Sequence, residues 1–426
     1  MPSLTRHLGA AGYLLFWFLA ASGLYLYARF DTSAAGAYAS IGELERWFGG
    51  ILRSVHRYAA DGFVVVVLLH LFEELRKGHF RGFRSFSWIS GVPLLALIYA
   101  SGIVGYWLVW DMRSQFSFLA TMEWLGLAAR GTQQLGEAPD RLFSLFVFLH
   151  IGLPLALLAG MWVHVQRLGR PETLPPARLS FLWLFLLLAL ALLRPAASQP
   201  QWDSSRAPVG VAVDWFYQFI HPLMYATSPS ALWVSVAAFF AVLLALSSRK
   251  EPLVAAKVDP HNCNGCGRCV ADCPYDAVRL EAAKAAVTTD RCAACGLCAG
   301  ACPSSTPFRS IQSLASGIEL PDLSMQHLKE QLQAQLAPSG EILFRCEKQP
   351  GGAGIALRCL GMLPPAFVDY ALRKGAARVR ALGCEACAYR LGMTLCDERF
   401  ARLREPRLRL TVRAERNGHE YTFTLR

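Results

Sequence analysis

Two pairs of histidines restrict the folds open to this chain more than any other feature. His56 and His70, and His150 and His164, stand fourteen residues apart in each case (70 − 56 and 164 − 150), and each pair lies inside an apolar stretch long enough to cross a bilayer. In an α-helix fourteen residues make about 3.9 turns and about 21 Å of rise, so the members of a pair leave one helix face at two depths. Ionisable side chains are rare in hydrocarbon, and matched ones on two helices read as a scaffold that grips something at two levels. Glycines repeat the interval on two further apolar stretches, where Gly9 and Gly23, and Gly91 and Gly105, are also fourteen apart. Glycine inside a helix costs about 1 kcal/mol relative to alanine, so a matched set implies space cleared for a flat group.

The flat group that suits paired imidazoles is a porphyrin, and the pattern predicts two stacked b haems. His56 and His150 would be the axial ligands of one, and His70 and His164 those of the other, with the four glycines as packing positions. Histidine on both faces leaves iron no open position, which favours electron transfer over oxygen binding.

Composition fits a membrane protein with a soluble tail. At 54% hydrophobic and 17% charged the chain is too apolar for an ordinary soluble protein of 426 residues, and all 13 cysteines lie after residue 260. Six spans are expected: Leu8 to Ala28, Val55 to Leu75, Trp88 to Leu108, Arg141 to Val165, Leu179 to Leu193 and Leu232 to Ser247. Arg6 before the first run resembles a signal peptide, but the run is long and lacks a small-residue cleavage site, so it is read as a span.

Basic residues crowd the second loop (Arg76, Lys77, Arg81, Arg84), the fourth (Arg167, Arg170, Arg178) and the start of the tail (Arg249, Lys250, Lys257), which places these on the cytoplasmic side. The other loops, with Glu43, Glu45, Asp111, Glu123 and Glu137, are expected in the periplasm. His56 and His150 then lie at the outer level with Gly23 and Gly105, and His70 and His164 at the inner level with Gly9 and Gly91. The net charge of +11 comes largely from these loops and the tail, so nucleic-acid binding has no part in the reading. Arg53 and Arg57 read either as partners of outer propionates or as lipid anchors.

Residues from about 1 to 247 resemble a cytochrome b of the bc1 and b6f type. The stretch Gly49-Gly50-Ile51-Leu52-Arg53-Ser54-Val55-His56-Arg57 is similar to the start of that family's first haem helix, and Ser101-Gly102-Ile103-Val104-Gly105-Tyr106-Trp107 to its third span. Val213-Asp214-Trp215-Phe216-Tyr217 resembles the family's Pro-Glu-Trp-Tyr quinol-site segment, with Asp for Glu and no Pro. The resemblance implies a periplasmic quinone pocket with Asp214 and Tyr217 as catalytic candidates. Asp before an aromatic run equally suits a helix cap. His221 is a second proton-carrier candidate, against a structural histidine before Pro222.

The tail opens on two copies of the bacterial ferredoxin run C-x2-C-x2-C-x3-C-P, at Cys263, Cys266, Cys269, Cys273 and at Cys292, Cys295, Cys298, Cys302. In this arrangement the fourth thiolate of each run reaches the other cluster. One [4Fe–4S] cluster is therefore assigned to Cys263, Cys266, Cys269 and Cys302, and the second to Cys292, Cys295, Cys298 and Cys273. Structural zinc needs only four sulfurs per ion and leaves the three-plus-one repeat unexplained.

After a linker helix marked by Leu323, His327, Leu328, Leu332 and Leu336, residues Glu341 to Cys346 and Ala377 to Cys384 read as strands ending in cysteine, with a helix from Pro365 to Lys374 between them and Cys359 on a turn. This part resembles the delta-subunit domain of methyl-viologen-reducing hydrogenases, which implies a [2Fe–2S] cluster and exchange of electrons with a heterodisulfide-reductase-like flavoprotein. Cys346, Cys359, Cys384 and Cys387 supply four ligands, with Cys396 spare; a domain that kept its docking surface and lost or changed its metal is the alternative.

The expected fold is an all-α transmembrane bundle of six spans (1–247), an α+β ferredoxin-like domain (248–308), a linker helix (309–340) and a small α/β iron–sulfur domain (341–426). The expected function is a multi-pass electron-transfer subunit of a quinone oxidoreductase in the bacterial cytoplasmic membrane. Its iron–sulfur domains lie in the cytoplasm, its partner is a cytosolic flavoprotein or iron–sulfur oxidoreductase subunit, and a homodimer is an open expectation. Two alternatives remain: a conduit to a periplasmic acceptor without a working quinone site, and a redox-sensing membrane anchor. No dinucleotide fingerprint, phosphate loop or nucleophile–base pair appears in the tail, so substrate chemistry on the soluble side belongs to another subunit.

Overall fold

A computed structural model describes residues 7–45, 48–169, 171–247, 254–308, 314–336, 340–347, 349, 352–383, 389, 391–401, 408–415 and 418–425. Arg6, Arg170, Arg249, Lys250, Cys384 and Cys387 lie outside the described residues. The chain forms two units. The first comprises Met1–Arg81, Ser85–Val165 and Glu172–Arg249, and the second Gly82–Arg84, Gln166–Pro171 and Lys250–Arg426.

The first unit is helical: α1 (Leu8–Arg29), α2 (Ala37–Glu45), α3 (Phe48–Arg76), α4 (Ser85–Trp107), α5 (Met112–Trp124), α6 (Ala128–Glu137), α7 (Pro139–Val165), α8 (Ala177–Leu193), α9 (Ile220–Ala226) and α10 (Pro229–Leu246). Each of the six expected apolar stretches is a helix. Among the described residues, four helical segments are long and apolar enough to cross a membrane: Leu8–Arg29, Gly82–Trp107, Pro139–Val165 and Pro229–Leu246. The other two differ for physical reasons. α3 has 29 residues but carries Arg53, Arg57, Asp61, Glu73 and Glu74 among its apolar positions, and α8 is wholly apolar in its body but only 17 residues long.

Local chemistry explains the helix ends. Asp111 and Ser114 form a reciprocal capping box at the start of α5, and Ser228 caps α10 with Pro229 at its first position. Pro93 and Pro154 sit inside α4 and α7, where neighbouring helices can satisfy the backbone groups a proline frees. α1 packs along α3, and α4 along α7. An aromatic cluster closes one end of the bundle: Trp110 stacks on Trp202 at 4.3 Å, and Trp107 lies 4.9 Å from Phe146. The outward faces are apolar, with Phe148, Phe181 and Val234 each about 70% exposed, as suits hydrocarbon rather than water.

The second unit mixes strands and helices: β1 (Lys257–Val258), α11 (Arg268–Ala271), β2 (Val278–Glu281), β3 (Lys284–Val287), α12 (Leu297–Ala301), β4 (Ile318–Glu319), α13 (Met325–Gln335), β5 (Glu341–Cys346), β6 (Ile355–Leu357), α14 (Pro365–Arg373), β7 (Arg378–Leu382), α15 (Gly392–Ala401), β8 (Leu408–Glu415) and β9 (Gly418–Leu425). β1 pairs with β4, and β2 with β3, both antiparallel. The last five strands form one sheet in the order β6-β5-β7-β9-β8, parallel across β6, β5 and β7 and antiparallel beyond. α13 is the expected linker helix, capped by Ser324, with Leu328 and Leu332 buried on one face. β5, α14 and β7 follow the expected strand–helix–strand order, with β7 ending at Leu382 rather than at Cys384.

Candidate functional site

The four histidines on α3 and α7 meet across the bundle in the two expected pairs. The rings of His56 and His150 have centroids 6.3 Å apart, and those of His70 and His164 6.5 Å apart. Two imidazoles bonded to one iron from opposite faces, at roughly 2 Å per metal–nitrogen bond, would place their ring centres about 6 Å apart. The spacing at both levels fits that demand.

Hydrogen bonds also prepare the rings. Ser22 donates its hydroxyl to the Phe18 carbonyl at 2.6 Å, so at 3.0 Å from His56 Nδ1 it accepts the ring proton. His150 Nδ1 lies 3.0 Å from the Ser101 carbonyl, which can only accept. Ser90 is bonded to the Ser87 carbonyl and stands 3.4 Å from His164 Nδ1. In His56 and His150 these acceptors hold the proton on Nδ1, and the lone pair of Nε2 is left for a metal. Ser22 and Ser90 escape a reading built on histidine and glycine alone, although each directly precedes one of the matched glycines.

The glycines face the imidazoles themselves. A Cβ built on Gly9 would stand 3.5 Å from His70 Cε1, on Gly23 3.1 Å from His56 Cε1, on Gly91 2.8 Å from His164 Cε1, and on Gly105 2.7 Å from His150 Cε1. The space they clear is thus filled by a ring of the neighbouring helix, and a macrocycle benefits through the ring's position. The distances predict a graded series. Gly9→Ala should leave the haem spectrum unchanged, Gly23→Ala should shift it slightly, and Gly91→Ala and Gly105→Ala should lower haem content or broaden the spectrum. Optical and EPR spectra of the four variants check the order.

The segment resembling a quinol site lies against α3 and α4. Asp214 Oδ1 accepts the backbone N–H groups of Phe216 at 3.0 Å and Tyr217 at 2.8 Å, and Oδ2 pairs with Arg57, which also binds Asp61. Asp214 is therefore a turn cap and a counter-ion together. Tyr217 is buried, donates to the Ala60 carbonyl at 2.8 Å and occupies the place a Cβ on Gly102 would need. The Arg57 guanidinium stands 5.1 Å over the Tyr106 ring, and the buried Tyr106 hydroxyl has no hydrogen-bond partner among the described residues. Arg53 is bound by Glu45, the Ala196 carbonyl and Ser198. His221 is 1% exposed, 3.0 Å from Thr121 Oγ1, and burial lowers its pKa to about 4.

In the second unit the ferredoxin-type cysteines separate as expected. Cys263, Cys266, Cys269 and Cys302 line one pocket, so the fourth cysteine of the second run joins three of the first. Cys298 has Cys295, Cys292 and Cys273 as its electrostatic neighbours, with Cys269 beyond them. Gly267 and Gly296 open α11 and α12 in the left-handed region, at φ 73° and 77°, a turn that glycine adopts without steric cost. Backbone amides already point at sulfur: Ala285 N–H at Cys263 (3.4 Å) and Ala277 N–H at Cys273 (3.3 Å). Burial, then the neighbouring thiols, pushes Cys269 up to about 11, and burial pushes Cys295 and Cys298 up as well. The chemistry of the donor set, four thiols around one pocket and four more grouped beside it, is what iron–sulfur clusters require.

Beyond the ferredoxin-type region, Cys346 ends β5 and Cys359 precedes the turn at Leu360–Met362; both are buried. Cys359 has Cys295 within electrostatic reach, and the α12 glycine Gly300 packs on the Met362 backbone, so the C-terminal thiols adjoin the second ferredoxin-type set. Cys396, on α15, lies beside Cys359.

Comparison with known proteins matches three successive segments of the chain. Residues 3–170 match the cytochrome b/b6/petB family, residues 255–303 the 4Fe-4S dicluster domain, and residues 340–422 the delta subunit of methyl-viologen-reducing hydrogenase. A cytochrome bc complex cytochrome b subunit of Chlorobaculum thiosulfatiphilum is 28% identical over 249 residues, which is 50% of this chain and 57% of that protein. The chain thus spans little more than half of that relative's length. A cytochrome b6 of Prochlorococcus marinus (strain AS9601) is 29% identical over 173 residues, 37% of this chain and 77% of that protein. Among solved structures, a chain of a hyperthermophilic respiratory Complex III aligns over 58% of this chain and 75% of its own, at 18% identity and a TM-score of 0.49.

Proposed function

We propose that this chain, in which a cytochrome b segment, a 4Fe-4S dicluster segment and a hydrogenase delta-subunit segment follow one another in one polypeptide, is the membrane electron-transfer subunit of a quinone-linked respiratory complex. Cytochrome b implies haem b, and the dicluster segment implies iron–sulfur clusters. The finer reading has two b haems on His56/His150 and His70/His164, two [4Fe–4S] clusters on the interleaved cysteines, and a further cluster in residues 341–426. All six apolar helices cross the bacterial cytoplasmic membrane in this reading, with the charges of α3 turned to the bundle interior and the short α8 extended by its flanks. The basic loops then set the iron–sulfur domains in the cytoplasm.

When bound, these groups supply one-electron carriers in series. The protein holds them in order: the C-terminal thiols next to the second ferredoxin-type set, that set next to the first, and the histidines at two levels of the bundle. A cytosolic flavoprotein or iron–sulfur subunit exchanges electrons at one end, and quinone at the other. The observation that carries the proposal is the pair of facing imidazole couples, 6.3 and 6.5 Å between centroids. Its test is reoxidation of the reduced haems in membranes on adding quinone. Rapid reoxidation is expected; no response to any quinone or quinol overturns the assignment.

Within this reading Asp214, Tyr217 and the unpaired hydroxyl of Tyr106 mark the quinone pocket. A second reading, a conduit to a periplasmic acceptor, draws on the fact that both oxygens of Asp214 are already engaged. Asp214→Asn separates the two, because Asn keeps the capping oxygen and removes the charge that faces Arg57. With a working quinone site it should slow quinone reduction at least about 10-fold, in line with the loss of a positioned acid–base group. Unchanged turnover and inhibitor response would favour the conduit.

A further inference from the structure

One guanidinium is shared by two carboxylates beside the His56/His150 couple. Arg57, next in sequence to His56, binds Asp61 one turn further along α3 and Asp214 of the segment that resembles a quinol site. Residues four apart lie on one helix face, so α3 presents Arg57 and Asp61 together. The same segment meets α3 a second time, where Tyr217 donates to the carbonyl of Ala60, the residue before Asp61. The trio carries one negative charge in excess, and a buried carboxylate without an answering charge is costly. A proton answers it.

The two carboxylates are not equally placed to take that proton. Asp214 is held on both oxygens: Oδ1 accepts the N–H groups of Phe216 and Tyr217 at 3.0 and 2.8 Å, and Oδ2 meets Arg57. Asp61 has Arg57 as its only partner among the described residues, through Oδ1. Its side chain is 13% exposed, against 5% for Asp214. A proton brought to Asp214 meets three donors already in place; on Asp61 it settles on the second oxygen.

Two buried polar groups next to the trio lack partners among the described residues. One is the Tyr106 hydroxyl, whose ring lies 5.1 Å from the Arg57 guanidinium and 5.7 Å from that of Arg113. The other is Nε2 of the fully buried Gln218, whose Oε1 accepts the Asp214 N–H at 3.2 Å. Orphaned donors of this kind call for a ligand with acceptor oxygens, and a quinone carries one at each end of its ring.

We infer that Asp61 is the proton-exchanging residue of the quinone pocket, with Asp214 as the fixed counter-ion that positions Arg57. This rests on the reading of that pocket as a quinone site. Quinone becomes quinol by taking two electrons and two protons. The electrons come one at a time from the haem level of His56 and His150. One proton passes from the Asp61 carboxyl to a quinone oxygen, as one O–H bond breaks and another forms, and the second comes from water. Asp61 is left as a carboxylate facing Arg57 and regains its proton from the solvent its side chain reaches. Quinol oxidation runs the same steps in reverse.

The test uses the full purified chain, reduced and then mixed with a short-chain quinone. Asp61→Asn keeps an oxygen for Arg57 but can no longer exchange the proton, so it should slow haem reoxidation about 100-fold, with haem per chain and the α-band unchanged. Asp61→Glu should bring the rate back to within about tenfold of the unaltered protein. Redox-difference infrared spectra give a readout apart from turnover. A carboxyl C=O band that changes with quinone reduction should be missing from Asp61→Asn and present in Asp214→Asn. If Asp61→Asn does not accumulate, a shift of that band in Asp61→Glu gives the same reading, and an unshifted band overturns the inference. A slow Asp61→Asn that Glu does not rescue and that keeps the band makes Asp61 structural and overturns it too. So does an unchanged rate in Asp61→Asn beside a slow Asp214→Asn, which returns the proton to Asp214 and leaves the pocket standing. Unchanged rates in both variants would defeat the pocket reading itself, and this assignment with it.

Discussion

Removal of one imidazole from either histidine couple is expected to halve the haem of the purified protein, from about two per chain to about one. The two levels should respond differently. In His56 and His150 the Nδ1 protons are tied to Ser22 and to the Ser101 carbonyl, so each ring offers Nε2 to its partner across a gap sized for one metal. His150→Leu takes away half of that grip and leaves the other couple untouched, because the two lie about 21 Å apart along the helix.

His164→Leu does the same at the other level. On the proposed topology, loss of the His70/His164 level should stop the remaining haem from being reduced through the iron–sulfur side, by more than about 100-fold. Loss of the His56/His150 level should leave the remaining haem reducible and block only its discharge to quinone. Haem per protein by the pyridine adduct, together with the α-band after reduction through the tail, reads both outcomes. Two haems retained in both variants would mean that these rings hold nothing between them.

Much of this arrangement is legible in the sequence, because its information is periodic. A spacing of fourteen is a property of helix geometry, and its recurrence on four apolar stretches determines which histidines face each other and which glycine stands at which level. The ferredoxin-type runs are legible for the related reason that ligand spacing within a short loop is local. What the periodicity does not carry is the identity of the partner.

Spacing alone makes the glycines room for the macrocycle, whereas they make room for the imidazoles, a distinction that depends on side-chain direction. In sequence Asp214 is open between acid–base group and cap, and only the approach of Arg57 from α3 shows that it also serves as a counter-ion. The hairpin of β8 and β9 is within reach of pattern, since Leu408, Leu410, Val412 and Ala414 alternate with polar residues. The three-residue β6 is too short to announce itself. Of the short helices in the connections between apolar stretches, α5 is signalled by its capping residues Asp111 and Ser114, and α2 by Ala37, Ile41 and Leu44, which are buried along one face.

The interleaving of the ferredoxin-type runs gives the second large effect, and a way to tell it from the simpler ligation in which each run serves its own cluster. Cys302 shares a pocket with Cys263, Cys266 and Cys269, and Cys273 lies with Cys292, Cys295 and Cys298. Cys273→Ser should therefore remove about four irons, those of the second set, although the residue belongs to the first run. Combined with Cys295→Ser it should remove no more, since both changes strike one cluster; combined with Cys266→Ser it should remove about eight. Ligation within each run predicts the reverse, with about four lost from the Cys273/Cys266 pair and about eight from Cys273/Cys295.

The functional consequence follows from position. The second set adjoins Cys359, so Cys273→Ser should cut haem reduction from the C-terminal end by more than about 100-fold, with both haems still bound. An iron count on the two double variants decides the ligation, and the rate of α-band appearance in Cys273→Ser decides whether that set lies on the only route inward.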